Sequence, residues 1–260
     1  MHVTQKIVVF CVLIIVILCP IVFSNDLASL KAEGDKFFND RDNLDAISKS
    51  IQAYTKALQL DENNKEILVQ LTIAYFWQGN DMLNDDSKAQ DRMDAYQKGM
   101  DYAEKLCQLD PKSVEGNFWH ATNNASRSRE KGFFSSALAL KDIKRRNSIV
   151  LENDKYYYRG GPQRLAARII WGTPGFFRKR GEKLEDGAAL LKDAISKFPN
   201  FTLSHLYLGD IYWEMGEKDL AEKSFNTLLS IPENAIKGLE AQNRQDKKDV
   251  KVLLKKYFGK

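Results

Sequence analysis

Cysteine is scarce in this chain of 260 residues, and two of its three, Cys11 and Cys19, lie inside an apolar N-terminal run. Downstream of that run Cys107 stands alone, so no intramolecular disulfide can form there and stability must come from packing. Cys107 falls on an apolar helix face between Leu106 and Leu109 and reads as a buried, inert thiol. Histidine is equally sparse. His120 and His205, the two beyond His2, have no Cys, Asp or Glu at ligand spacing and read as helix-packing residues, not as metal ligands or general bases. No isolated carboxylate pair of the kind acid–base catalysis uses stands out. A dominant charge is missing too. With 39 Lys and Arg against 35 Asp and Glu, the net charge of +4 is too dispersed for a nucleic-acid-binding face. No stretch alternates apolar and polar residues over strand length, and no proline interrupts a helical pattern. These absences exclude a sheet, a metal, a cofactor and catalytic residues. They leave an all-α, non-enzymatic protein without nucleic acid as a partner.

What is present begins with one long apolar run, Ile7 to Cys19, followed by Pro20, Ile21, Val22 and Phe23 and preceded by His2 and Lys6. Val22 and Ser24 suit cleavage by a signal peptidase after Ser24. A retained membrane anchor, for which the run is short, and lipidation at Cys19, disfavoured by Leu18, are the alternatives. Residues 1–25 are therefore read as signal peptide or anchor. Residues 26–260 form the exported domain, with membrane contact only through the N-terminal segment.

The clearest unit is Leu203 to Pro232. Leu208, Gly209 and Tyr212 carry an L-G-x2-Y spacing, Gly216 ends that helix, and Ala221 and Phe225 give A-x3-F in a second one. That spacing resembles a tetratricopeptide (TPR) repeat, whose small residues let two helices approach while larger ones fill the groove. A single pair cannot bury its own apolar face, so neighbours must stack on it. Helix endings recur near Leu60, Leu109, Leu151, Phe198 and Ile231, several of them in similar phrases: QLDENN, QLDPKS and VLENDKYY. The intervals exceed the repeat period of about 34 residues except for the last, which predicts insertions in the inner repeats. Gly79 is expected to stop a helix, Asn80 to Arg92 to form an enlarged turn, and Glu233 to Phe258 to form a polar capping helix. The fold expected is a TPR-like stack of four to five helix pairs plus a C-terminal capping helix.

Longer phrases narrow the comparison: YFWQGND (75–81), GMDYAEKLCQLDPKSVEGNFWHA (99–121), ALKDIKRR (139–146) and YYYRGGPQRLAARIIWGTPG (156–175). In this order they resemble the TPR-type T-components of tripartite ATP-independent periplasmic (TRAP) transporters. The resemblance covers most of the chain after about Asp26. It implies an exported accessory protein of the bacterial periplasm or cell envelope that docks a periplasmic solute-binding protein, and a homo-oligomer is compatible with it. The sequence departs from the pattern at Leu18 and at Arg159, inserted between tyrosines and glycines.

The aromatic residues exceed what helix packing alone requires, and many mark helix ends. Trp77, Phe118, Trp119, Tyr157 and Trp171 are candidates for lining a concave surface or cavity suited to an apolar ligand. Arg159 and Arg164, beside Gly160 and Gly161, are candidates for holding a ligand carboxylate, against a packing role for the same arginines. The Gly160-Gly161-Pro162 stretch lacks the Lys-Ser/Thr of a nucleotide loop. The competing reading is an envelope scaffold that holds a peptide segment or another protein in its groove.

Overall fold

The computed structural model describes residues 26–41, 45–81, 85–175, 178 and 181–259. The expected signal or anchor segment lies outside them. Among the described residues no helix is long and apolar enough to cross a membrane. The described residues form eleven α-helices in succession: α1 (26–39), α2 (Ala46–Leu60), α3 (Lys65–Asp81), α4 (Ala89–Leu109), α5 (Val114–Glu130), α6 (Phe133–Asp154), α7 (Tyr157–Gly172), α8 (Leu184–Lys197), α9 (Thr202–Glu214), α10 (Lys218–Ser230) and α11 (Glu240–Phe258). They form five antiparallel pairs, α1/α2 to α9/α10, closed by α11. The fold is all-α and TPR-like.

The pairs are built on one recurring contact. A Cβ added to Gly34 of α1 would lie 2.4 Å from the Tyr54 ring of α2, and one on Gly79 of α3 would lie 2.4 Å from Tyr96 of α4. At Gly209 of α9 the distance to the Phe225 ring of α10 would be 2.3 Å. The first helix of each of these pairs gives up a side chain so that an aromatic of the second can lie against its backbone. This corrects one expectation. Gly79 does not stop α3, which continues to Asp81; it is a buried packing position.

Consecutive odd-numbered helices from α3 to α11 touch one another, whereas each even-numbered helix packs mainly on its odd neighbours. Such a stack curves with the odd helices inside. The links between pairs repeat as well. Asp61 and Asp110 leave their helices in extended conformation, and the chain turns back to Asn64 and Ser113, whose side chains cap α3 and α5 by accepting from Ile67 N and Gly116 N (3.1 and 3.0 Å). These are the QLDENN and QLDPKS phrases. VLENDKYY does not follow them: α6 runs on through Asp154.

The extra length of the inner repeats is spent largely on helix. α4 and α6 have 21 and 22 residues where α10 has 13. The expected enlarged turn at Asn80 to Arg92 is shorter than the sequence suggests, because α4 begins at Ala89 and buries Arg92. Inside, Arg92 pairs with Glu130 of α5 at 2.6 Å and donates to the Asp85 carbonyl at 2.7 Å, so the buried guanidinium has partners. α11 also starts later than expected, at Glu240 instead of Glu233.

Candidate functional site

The link between α6 and α7 departs most from helical regularity. Tyr158, Arg159 and Gly160 have φ of 46°, 54° and 82°, one after another in the left-handed region. For a residue with a Cβ this conformation costs roughly 1–2 kcal/mol, so Tyr158 and Arg159 must be held there. The Arg164 guanidinium, buried one turn later, does so: it donates to the carbonyls of Tyr158 (2.7 Å) and Arg159 (2.5 Å). The same group lies 4.0 Å from the centre of the Phe201 ring. Burial pulls the Arg164 pKa down to about 10, still far above neutrality. Asn147 of α6 donates to the Pro162 carbonyl at 2.9 Å, and Gln163 donates to Asp193 of α8. The regular part of α7 begins after the turn, with Pro162 in its first helical turn, as the sequence suggests.

Gly160 and Gly161 serve close approach. A Cβ on Gly160 would meet Ala194 of α8 at 2.7 Å, and one on Gly161 would meet the Phe118 ring at 2.6 Å. Phe118 belongs to a chain of rings. It packs edge-on to Trp119 (5.1 Å between centres) and to Tyr157 (5.3 Å), and Trp119 packs edge-on to Tyr158 at 5.0 Å. Phe76 lies 5.6 Å from Trp119, and Tyr158 lies 6.1 Å from Phe201. The Trp119 indole N–H donates to the Tyr157 hydroxyl at 3.0 Å. Burial raises the pKa of both the Tyr157 and Tyr158 hydroxyls.

Of the sequence candidates, Phe118, Trp119, Tyr157, Arg159, Gly160, Gly161 and Arg164 thus come together around one turn. There Phe118 and Trp119 fill the space between α5 and α7, only 4% and 1% exposed, and the Arg164 guanidinium is engaged by backbone oxygens. Trp77 reaches this cluster through Phe76, edge-on at 6.1 Å, and Trp171 stands apart from it. Trp77, half-buried on α3, has the Arg41 guanidinium 4.7 Å from its ring centre, and Trp171 sits near the end of α7.

Trp171 belongs to a second constellation on the inner helices. The Arg168 guanidinium lies 3.9 Å from the ring centre of Trp171 and 4.5 Å from that of Tyr207, and its Nη1 pairs with Asp210 at 3.0 Å. The Tyr257 hydroxyl of α11 also donates to Asp210 (3.2 Å), and the Tyr257 ring stacks on Trp213 at 4.3 Å. Burial raises the Asp210 pKa, and Arg168 opposes that rise. Arg168, Trp171, Tyr207 and Tyr257 are all half-buried. Sequence reasoning missed Arg168, Tyr207 and Asp210. The usable signal was helical phase: Gly209 faces α10, so Tyr207, nearly half a turn away, points toward the inner side.

The two histidines lie among helices. His120 sits between Glu104 (3.7 Å) and Asp142 (3.8 Å), and burial, reinforced by Arg146, pushes its pKa down to about 4. His205 Nε2 meets the Pro199 carbonyl at 2.8 Å. Burial raises the Cys107 thiol, whose sulfur lies 3.4 Å from Arg146 Nη1. Among the described residues no group of three or more His, Cys, Asp or Glu could hold a metal ion.

Comparison with known proteins agrees with the repeat reading at one place. The tetratricopeptide repeat family model matches residues 204–234, which span most of α9 and all of α10. No curated protein matches the chain. A crystal structure of MamA is similar at 17% sequence identity, covering 78% of this chain and 92% of that one, with a TM-score of 0.44.

Proposed function

We propose that this protein is a non-enzymatic scaffold that binds another protein on the concave face of its odd-numbered helices. The observation that carries the reading is the half-buried group of Arg168, Trp171, Tyr207 and Tyr257, braced from behind by Asp210. Arginine, tryptophan and tyrosine are the side chains that most often anchor protein interfaces. Anchors held in place before binding lose little entropy when a partner arrives. A helix or extended segment laid along the inner helices would meet these four in succession.

The narrower reading makes the partner a periplasmic solute-binding protein of a TRAP-type uptake system, with the chain exported to the periplasm or cell envelope. It rests on the sequence phrases at 75–81, 99–121, 139–146 and 156–175. Passage of an apolar or carboxylate ligand through an aromatic cavity has less support, because Phe118 and Trp119 are packed against other rings and Arg164 against carbonyls. The test is gentle purification from the native host of wild type and of a W171A/Y207A variant, with bound species identified by native mass spectrometry. The scaffold reading expects a protein partner on wild type that the variant loses. Wild type recovered without any protein partner, or a variant that keeps it, would overturn docking on this face. A solute-binding protein as the partner would sharpen the reading to the transport role, and a small organic molecule in its place would favour ligand passage.

A further inference from the structure

The turn between α5 and α6 carries an apolar surface that the inner-face scaffold does not use. α5 ends at Glu130, and Lys131 and Gly132 turn the chain back into α6. Gly132 has φ of 97° with open space where a Cβ would be. The first residues of α6 are Phe133 and Phe134, 52% and 83% exposed, and Leu138 one turn on is 85% exposed. Large apolar side chains this exposed and this close together mark a contact surface. Further along the same stripe, Lys141 and Arg145 follow Phe134 and Leu138 at helical spacing and are also exposed.

Within the stretch around this tip the charge is one-sided, and Glu182 from outside it pairs with Lys144 at 3.7 Å. From 127 to 146 the bases are Arg127, Arg129, Lys131, Lys141, Lys144, Arg145 and Arg146, and the acids are Glu130 and Asp142 alone. Both acids are occupied, Glu130 by Arg92 at 2.6 Å and Asp142 by Arg145 at 2.7 Å and Arg146 at 3.1 Å. Among the described residues Arg129, Lys131 and Lys141 form no ion pair. An apolar wedge two helical turns long therefore has exposed cations on both sides.

We infer that this tip docks on an anionic lipid surface, Phe134 and Leu138 entering the interface while Arg129, Lys131 and Lys141 meet the headgroups. A protein groove would have to accept the wedge and also supply acids on both sides of it. An anionic bilayer offers both at once, apolar depth beneath a sheet of negative charge. In the sequence, Gly175-Phe176-Phe177 followed by Arg178, Lys179 and Arg180 repeats the same order between α7 and α8, but the proposed surface lies wholly within 129–141.

The apolar segment at 7–23 can bind lipid by itself, so the test must report on α6. Hydrogen–deuterium exchange of the full chain is followed with and without vesicles of phosphatidylcholine alone or of phosphatidylcholine mixed with phosphatidylglycerol. Wild type is expected to show about tenfold slower exchange of the amides at 133–141 with the anionic vesicles only, an effect weakened by 0.5 M salt, since screening shortens the reach of the cations. F134S/L138S, two exposed sites whose change should leave the fold intact, is expected to lose that protection. V252S, at an exposed site on α11, should keep it. Protection absent from wild type, or undiminished in F134S/L138S, would overturn the proposal. So would protection that appears without vesicles and grows with protein concentration, which would assign the tip to a second copy of the chain.

Discussion

The α9/α10 pair and the α5–α7 junction solve one problem, bringing helices close, with opposite materials. At α9/α10 the solution is local and apolar: Gly209 yields to the Phe225 ring, both fully within the core that Leu206, Leu208, Ile211, Ala221 and Leu228 share. At α5–α7 the solution is long-range and partly polar. A left-handed turn is pinned by a buried arginine, two glycines admit Ala194 and the Phe118 ring, and five further rings fill the remainder. The first design tolerates substitution so long as volume is kept; the second depends on particular atoms. The difference is testable by breaking each in turn.

The largest effect is expected from Arg164→Leu. It keeps apolar bulk over Phe201 but removes both donors to the Tyr158 and Arg159 carbonyls, leaving the left-handed residues unsupported. Loss of two charge-assisted hydrogen bonds from buried acceptors should cost on the order of 4 kcal/mol. Urea denaturation checks it through a lowered midpoint. A midpoint unchanged from wild type would mean the turn holds itself and the contrast between the two regions is overdrawn.

Next come the glycines. Gly209→Ala sets a methyl 2.3 Å from the Phe225 ring, and Gly161→Ala sets one 2.6 Å from Phe118. Each should destabilise by about 2 kcal/mol, in the range of core overpacking. The comparison lies in the partner change. Phe225→Leu should rescue much of Gly209→Ala, because one apolar volume replaces another. Phe118→Leu should rescue Gly161→Ala poorly, because it also breaks the ring contacts to Trp119 and Tyr157. Equal rescue in the two double mutants would remove the distinction.

These contrasts also explain what could be read from the chain beforehand. Gly209, Ala221 and Phe225 announce their packing because the contact is made between helices adjacent in sequence, at spacings set by helical period alone. Gly79 was misread because a glycine near a polar stretch looks like a stop, and only Tyr96, 17 residues later, shows that it faces a ring. The phrases QLDENN and QLDPKS predicted their turns, while VLENDKYY looked alike and did something else, since its fate is decided by Arg164 and by Asn147 reaching Pro162. Of the candidate aromatics Phe118, Trp119 and Tyr157 touch one another while Trp171 lies elsewhere, and a sequence does not say whether rings surround a void or touch each other. Arg168 and Tyr207 carried no motif, and their inward direction follows only once Gly209 is known to face α10.

A smaller effect, tied to pH, probes the polar side of the same boundary. Asp246 of α11 is buried, accepts from the Thr202 hydroxyl at 2.6 Å, and has its pKa raised to about 7, first by burial and then against the pull of Thr202. An acid whose pKa is higher folded than unfolded binds its proton more tightly in the native state. Stability from this group is therefore full below about pH 4, the unfolded carboxylate pKa, and is lost as pH rises toward 7. Asp246→Asn, which keeps an acceptor for Thr202, should be neutral near pH 4 and stabilising by roughly 2 kcal/mol at pH 8. Thermal melts across that range decide it; a variant no more stable than wild type at pH 8 would place the native Asp246 pKa near that of an ordinary carboxylate.

The finest comparison concerns a single hydrogen bond inside the ring cluster. Tyr157→Phe keeps the ring against Phe118 and deletes only the hydroxyl that accepts from the Trp119 indole at 3.0 Å. Because Trp119 is only 1% exposed, its N–H would be left without that acceptor inside the protein, a loss of about 1 kcal/mol. The Tyr157 hydroxyl is itself held neutral by burial, so the loss should not vary between pH 5 and 9. A pH-independent drop in the melting midpoint would show that the cluster is specified by direction as well as by volume, the property that separates it from the Gly209–Phe225 contact. No drop would mean that the rings at α5–α7 pack by shape alone, and that only the arginine-held turn sets this junction apart.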